Sequence, residues 1–109
     1  MIYELRHYTA KPGKEQNLAN RFRGHTLPCF ARIGFNLVDF WENCERAGDL
    51  WYLLQWESEG IKAELWQRLR NDEEWQRIKA ASERNGPLIG RIESVLLTRP
   101  VWVTAKGDG

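Results

Sequence analysis

Hydrophobic positions along this 109-residue chain alternate in four segments and recur every three or four residues in the segments between them. Alternation with a period of two predicts β-strands, and the longer period predicts amphipathic helices. The predicted strands cover residues 2–9, 35–44, 50–58 and 91–98. The predicted helices cover residues 14–33, residues 61–69, and a segment that begins at Asn71 and ends before residues 85–87. The order β-α-β-β-α-α-β predicts an α+β, ferredoxin-like fold with one antiparallel sheet and its helices on one face.

The first predicted strand presents two different sets of side chains on its two faces. One face carries Glu4, Arg6 and Tyr8. The other face carries Tyr3, Leu5 and His7. Neither set is plainly polar, so we expect both faces of the sheet to be covered. A single chain of this length supplies too few helices for that, and we therefore expect a partner subunit, in a homodimer, to cover the second face.

The charge balance excludes several classes of partner. Sixteen basic and fifteen acidic residues give a net charge of +1, so no overall field recruits nucleic acid or an anionic membrane. No apolar stretch approaches the length of a membrane span, and residues 1–10 lack the apolar run of a signal peptide. Two cysteines make no disulfide framework. We expect a cytoplasmic protein without a membrane or nucleic-acid partner.

Several ordered segments resemble one known family. The segments YELRHYTAKPGK, HTLP and FNLVDFWE, followed by LLQWES, NDEEWQRI and IESVLLTRP, resemble the NIPSNAP family. The resemblance covers residues 1–100, which form the predicted domain, and leaves residues 101–109 as a C-terminal arm. It implies a dimeric α+β barrel in which two ferredoxin-like sheets close face to face. The wider barrel superfamily includes cofactor-independent oxygenases, haem-degrading enzymes and lactone isomerases, so the resemblance does not decide whether this chain is an enzyme.

His25 and Cys29 are four residues apart on the apolar stripe of the first helix, so we expect His25 to face the sheet. Pro28 cannot donate to the carbonyl of Gly24, which predicts a kink beside His25. His25 is then either a hydrogen-bonded core residue or a neutral imidazole at the mouth of a pocket. A metal site is not predicted, because these spacings match no zinc pattern, and no cofactor is implied.

Aromatic residues on the predicted helices and strands are most simply core and interface anchors, and they would line any pocket between helices and sheet. We expect a flat, apolar ligand between helices and sheet, contacted by Tyr8, His25, Trp41, Tyr52 and Trp66. Two alternatives stay open. One is a cofactor-independent monooxygenase or isomerase in which His25 or Tyr8 activates an acidic C–H or a phenol. The other is an interaction module whose interior is filled.

Charged strand residues and the C-terminal arm suggest how a dimer is held. In a closed barrel, Arg6 paired with Glu4, Glu57 or Glu93 would form a buried network at the interface. The alternative is that these residues are exposed or form ordinary cross-strand ion pairs. The segment VWVTA after Pro100 predicts an exchanged strand with Trp102 as an inter-subunit anchor, against an arm folded back on its own domain.

Overall fold

A computed structural model describes residues 1–103 as a four-stranded antiparallel sheet with helices on one face. The elements are β1 (Ile2–Ala10), α1 (Glu15–Arg21), a π-turn (Phe22–Thr26), α2 (Leu27–Ile33), β2 (Asn36–Glu42), β3 (Asp49–Trp56), α3 (Glu59–Arg70), α4 (Glu73–Ser82) and β4 (Ile89–Leu97). The strand order is β2-β3-β1-β4, so β1 lies inside the sheet and β4 forms one edge. This arrangement confirms the predicted α+β, ferredoxin-like architecture.

The register of the sheet sorts side chains as the alternation predicts. Glu4 pairs with Leu54, and Arg6 pairs with Tyr52 on β3. These even-numbered positions face the helices and enter the core, which also contains Leu18, Phe22, Phe30, Leu50, Trp56 and Leu69. Burial of so many large apolar side chains fixes the register, because a slip of one residue would expose all of them.

The long first helix is interrupted by the π-turn. Pro28 has no N–H to donate to Gly24, and the N–H of Leu27 donates instead to the carbonyl of Phe22, five residues earlier. The wider turn adds one residue, so Thr26 takes the inward position, with only 5 % of its surface exposed. The prediction that His25 faces the sheet is wrong for this reason: its side chain is exposed.

The face of the sheet away from the helices is left open by this chain. Trp41, Val95 and Leu97 on this open face are each more than 40 % exposed. His7 stacks on Trp51 with ring centroids 3.7 Å apart. The open face is thus a continuous apolar and aromatic surface of the kind that marks an interaction site.

The described chain ends in a turn beyond β4. The N–H of Val103 donates to the carbonyl of Pro100 at 3.0 Å, and Trp102 is 81 % exposed. Residues 101–103 therefore do not form the predicted extended strand, because the turn at Pro100 folds this segment. The rest of the predicted arm, residues 104–109, lies outside the described residues. Within residues 1–103, no helix is both long and apolar enough to cross a membrane.

Candidate functional site

A cavity of about 300 Å³ lies between the helices and the sheet, and we call it the helix–sheet cavity. Its walls come from β1, α3, α4, β4 and the first helical segment, by which we mean α1, the π-turn and α2 together. The lining residues are Arg6, Tyr8, Arg21, Phe22, Thr26, Phe30, Trp66, Leu69, Arg70, Trp75, Lys79, Ile89 and Ile92. Aromatic and aliphatic walls combined with a few polar groups are typical of a small-molecule site.

Other recesses on the described chain have a different character. A depression of about 680 Å³ between α3 and α4 is larger, but only charged and amide side chains line it. A recess of about 220 Å³ beside His25 lies on the outer side of the helices and includes Arg32 and Glu74. Neither of these two recesses offers an apolar wall of the size that a flat organic molecule needs. The helix–sheet cavity has such a wall and is the candidate site.

A buried carboxylate, Glu4, organises one side of the cavity. Only 2 % of Glu4 is exposed, and its oxygens accept hydrogen bonds from Trp56 Nε1 at 3.1 Å and Trp66 Nε1 at 2.8 Å. Ser94 Oγ and Arg6 Nη1 each donate at 2.9 Å. Burial by itself would raise the pKa of Glu4, but the bonds from Trp66, Arg6 and Ser94 outweigh burial and lower it. Glu4 is therefore an anion held by four donors.

Arg6 connects this carboxylate to the wall of the cavity. Its Nε donates to the hydroxyl oxygens of Tyr8 and Tyr52 at 3.1 and 3.0 Å, and its guanidinium lies 4.3 Å from the Trp66 ring centroid. Burial would lower the pKa of Arg6, but the phenol oxygens and Glu4 outweigh burial and raise it. Arg6 is thus a permanent cation beside the ligand space.

The two tyrosine hydroxyls leave one hydrogen without an acceptor. They lie 2.9 Å apart, and both oxygens accept from Arg6, so one hydroxyl donates to the other. Tyr52 is fully buried, and burial raises the pKa of Tyr52 well above its ordinary value, which keeps it neutral. Tyr8 lines the cavity and Tyr52 does not. The pair therefore keeps one hydrogen that the bond between its two hydroxyls does not use, and Tyr8 is the member of the pair that lines the cavity.

Two further donors meet the cavity from the first helical segment. Arg21 is 4 % exposed and binds Ser82 and Glu83 through Nη1, but its Nε has no hydrogen-bond partner among residues 1–103. Thr26 Oγ1 is also buried without a partner. Unsatisfied buried polar groups cost roughly 1–3 kcal/mol each, so a polar atom bound in the cavity would recover that free energy.

Three of the five predicted binding residues lie apart from the cavity wall, and two line it. Tyr8 and Trp66 are the lining residues, while Tyr52 lies behind Tyr8. Trp41 lies on the open face, because its position in β2 is paired opposite Trp51 on that side. His25 is outside the helices because the π-turn rotates it outward.

The predicted interface network is also divided between surfaces. Glu4 and Arg6 pair with each other but face the helices, because even-numbered β1 positions point that way. Glu93 lies on the open face and contacts His7 at 3.2 Å. Glu57 follows the end of β3 and is exposed. Arg6 therefore pairs with Glu4, one of its three predicted partners, but it does so on the helix side of the sheet and not on the face that was expected to form the lumen.

Sequence reasoning missed the donors on the first helical segment. The helical period places Phe22 and His25 inward. Arg21 precedes Phe22 and Thr26 follows His25, so neither of them was expected to face the sheet. The missing N–H of Pro28 was the available signal, since it predicts a disturbed turn before it. Among residues 1–103, no group of three His, Cys, Asp or Glu side chains is placed to hold a metal ion.

One known protein family and several solved structures are similar to this chain. The model of the family described as NIPSNAP matches residues 3–103. Among curated proteins, none matches the sequence significantly. A NIPSNAP family protein from Agrobacterium tumefaciens has a similar structure, with 22 % identity, a TM-score of 0.79, and coverage of 93 % of this chain and 94 % of that one.

Two further solved structures are similar. An uncharacterized NIPSNAP domain protein from Burkholderia xenovorans has 18 % identity and a TM-score of 0.77, covering 96 % of this chain and 100 % of its own. A protein described as an antibiotic biosynthesis monooxygenase has 12 % identity and a TM-score of 0.68, covering 92 % of this chain and 99 % of its own. At these identities the structural likeness shows the shared fold alone.

Replacing the buried carboxylate should destabilise the chain strongly. Glu4→Gln removes the charge that balances Arg6, and losing one partner of a buried ion pair costs roughly 3–5 kcal/mol of unfolding free energy. Urea unfolding followed by tryptophan fluorescence measures this. Glu57→Gln, at an exposed carboxylate, is the matched control and should change stability little. Equal stability of the two variants would contradict the role assigned to Glu4.

The same carboxylate should make stability depend on pH. The folded chain holds the pKa of Glu4 below its ordinary 4.5, so its contribution is complete above that pH and is lost as the pH falls through the lowered pKa. The stability gap between wild type and Glu4→Gln should therefore be largest at neutral pH and shrink in acid. Unfolding midpoints collected from neutral pH to below 4.5 test this. If the stability difference between wild type and Glu4→Gln instead grew as the pH fell, folding would raise the pKa of Glu4, and the prediction would be contradicted.

Proposed function

This chain belongs to the NIPSNAP family, and on that premise we propose that it binds a small organic molecule in the helix–sheet cavity. The main support for the proposal is the composition of the cavity wall. It combines aromatic rings with buried hydrogen-bond donors that have no partners among residues 1–103. A solely structural interior would be expected to fill this space and to satisfy those donors.

The shape of the cavity favours a flat ligand. Phe22, Phe30, Trp66 and Trp75 supply aromatic surface from three different helical segments. A volume of about 300 Å³ is at the lower end of the range for small-molecule pockets. Ile92 lies on the edge strand β4 and is 50 % exposed, which gives the cavity a rim at the edge of the sheet. A role as an interaction module with a filled interior fits this volume poorly.

A neutral fluorescent probe tests occupancy of the cavity. N-phenyl-1-naphthylamine should bind with a rise in fluorescence, and Ile92→Trp, at the rim, should weaken its binding at least fivefold. Ile61→Trp is the matched control, since Ile61 is 38 % exposed on α3 and does not line the cavity. Equal binding by both variants, or no binding by wild type, would count against the site.

An enzymatic role is the second candidate. The observation that favours this role is the hydroxyl of Tyr8, which lies beside Arg6 in the cavity wall. Together they could polarise a carbonyl and acidify the neighbouring C–H. His25 cannot take part from its exposed position. The lining residues include no carboxylate or imidazole to receive the proton, so binding without turnover remains the favoured function.

Deuterium exchange separates the two candidates. The carbonyl compound 2-tetralone has an acidic C–H and a flat bicyclic shape, and mass spectrometry follows its deuteration in heavy water. A binding protein should not accelerate the exchange. An acceleration that Tyr8→Phe abolishes, while probe binding persists, would instead establish proton-transfer chemistry at this site.

We also propose a homodimer formed through the open face. Support comes from apolar side chains of three strands on that face: Trp41 on β2 and Val95 and Leu97 on β4 are exposed, and Leu53 on β3 is half-buried. Obligate interfaces commonly bury more than about 2,000 Å² and are apolar. Such an interface would cover the face that the helices leave bare.

Charge introduced on the open face should disrupt the dimer. Leu53→Asp places a carboxylate at the centre of the surface, where burial against a second copy would be costly. Light scattering should give a dimer mass for wild type and a reduced mass for the variant. Ala80→Asp, on an exposed position of α4, is the control and should remain dimeric. A monomeric wild type with native circular dichroism would refute the dimer.

A further inference from the structure

We infer that the ligand of the helix–sheet cavity is an acidic aromatic compound, with its carboxylate bound among Tyr8, Arg21 and Thr26. The inference rests on the proposed function and names the chemical class of its ligand. Two independent observations support it: the sign of the charges in the wall, and the buried donors without partners on two of the lining residues, Arg21 and Thr26.

The wall of the cavity is positively charged. Arg6, Arg21, Arg70 and Lys79 line it, and no acidic residue is among the lining residues. Glu4 balances Arg6, and Glu83 balances Arg21 at 2.8 Å. Arg70 and Lys79 form no ion pair with any residue in 1–103. The cavity therefore keeps an uncompensated positive charge, which favours an anion.

The polar groups without partners are donors. Arg21 Nε can only donate, and Thr26 Oγ1 has a hydrogen to give. Tyr8 adds a third lining group, because the Tyr8–Tyr52 pair holds one hydrogen more than the bond between its two oxygens uses. A carboxylate has two oxygens and can accept several bonds at once, and its charge strengthens each of them. A neutral hydrocarbon would leave all three donors buried and unsatisfied.

The rest of the wall defines the body of the ligand. Trp66 and Trp75 contribute aromatic rings to the wall, and the guanidinium of Arg21 lies 5.4 Å from the Trp75 ring centroid. Leu69 and Ile89 close the space with aliphatic surface. A planar ring bearing one carboxylate matches the rings and the donors together.

A pair of probes that differ in charge tests the inference. 2-Naphthoate and 2-naphthamide have the same ring and nearly the same shape, but only the first is an anion. Calorimetric titration of the full chain should give at least tenfold tighter binding of 2-naphthoate. Its affinity should fall as salt is raised, because Arg70 and Lys79 are exposed to the solvent and screened.

Variants locate the carboxylate within the cavity. Thr26→Val keeps the shape of the side chain but removes the hydroxyl, and should weaken 2-naphthoate at least fivefold, while Thr26→Ser should retain binding. The double variant Arg70→Gln with Lys79→Gln should reduce the preference for the anion. The charge-matched control, Lys62→Gln with Arg84→Gln, changes residues that do not line the cavity and should leave the preference intact.

The possible outcomes distinguish a failure of the acidic-ligand inference from a failure of the proposed small-molecule binding itself. Tight 2-naphthoate binding that Thr26→Val weakens and Thr26→Ser retains supports the acidic ligand. If 2-naphthamide binds equally well, and Ile92→Trp blocks both probes, the cavity binds ligands but the carboxylate assignment is overturned. If neither probe binds and N-phenyl-1-naphthylamine also fails, the proposed function itself is overturned.

Discussion

The ion pair of Glu4 and Arg6, buried between sheet and helices, is the constraint on which the rest of the site depends. An anion that is only 2 % exposed survives because four donors reach it, two of them indole N–H groups from β3 and α3. Those bonds fix Trp66 in the cavity wall. Arg6, held in place by Glu4, then orders Tyr8 and Tyr52. One ion pair thereby positions both Trp66 in the cavity wall and the hydroxyl of Tyr8 beside it.

The π-turn forms the part of the cavity wall that lies on the helix side, because its wider backbone turn changes which side chains point inward. A regular helix would direct His25 toward the sheet, where its ring would compete for the space above Arg6. The extra residue turns Thr26 inward instead and places Arg21 beside it. A small hydroxyl in place of an imidazole leaves room for a ligand. The cavity thus exists because one proline prevents one hydrogen bond.

The fold could be predicted from the sequence because alternation in strands is a local property. The faces of β1, with Glu4, Arg6 and Tyr8 together, follow from the period of two. The site could be predicted only in part. The positions of Tyr8 and Trp66 follow from regular elements, but His25 was misplaced because the π-turn around it contains one extra residue, whereas Cys29 beyond the turn is buried as the helical period predicts. Trp41 was misplaced because the irregular register between Leu37 and Asp39 was not visible in the sequence.

We propose that the helix–sheet cavity binds an acidic aromatic ligand beside Tyr8, Arg21 and Thr26. A crystal structure of the chain with 2-naphthoate is the decisive measurement. We expect the naphthalene ring in the cavity beside Trp66 and Trp75, with the carboxylate within hydrogen-bonding distance of Tyr8 and Thr26. A ring bound only on the open face, or a cavity closed by side chains with Thr26 bonded to the protein itself, would contradict it.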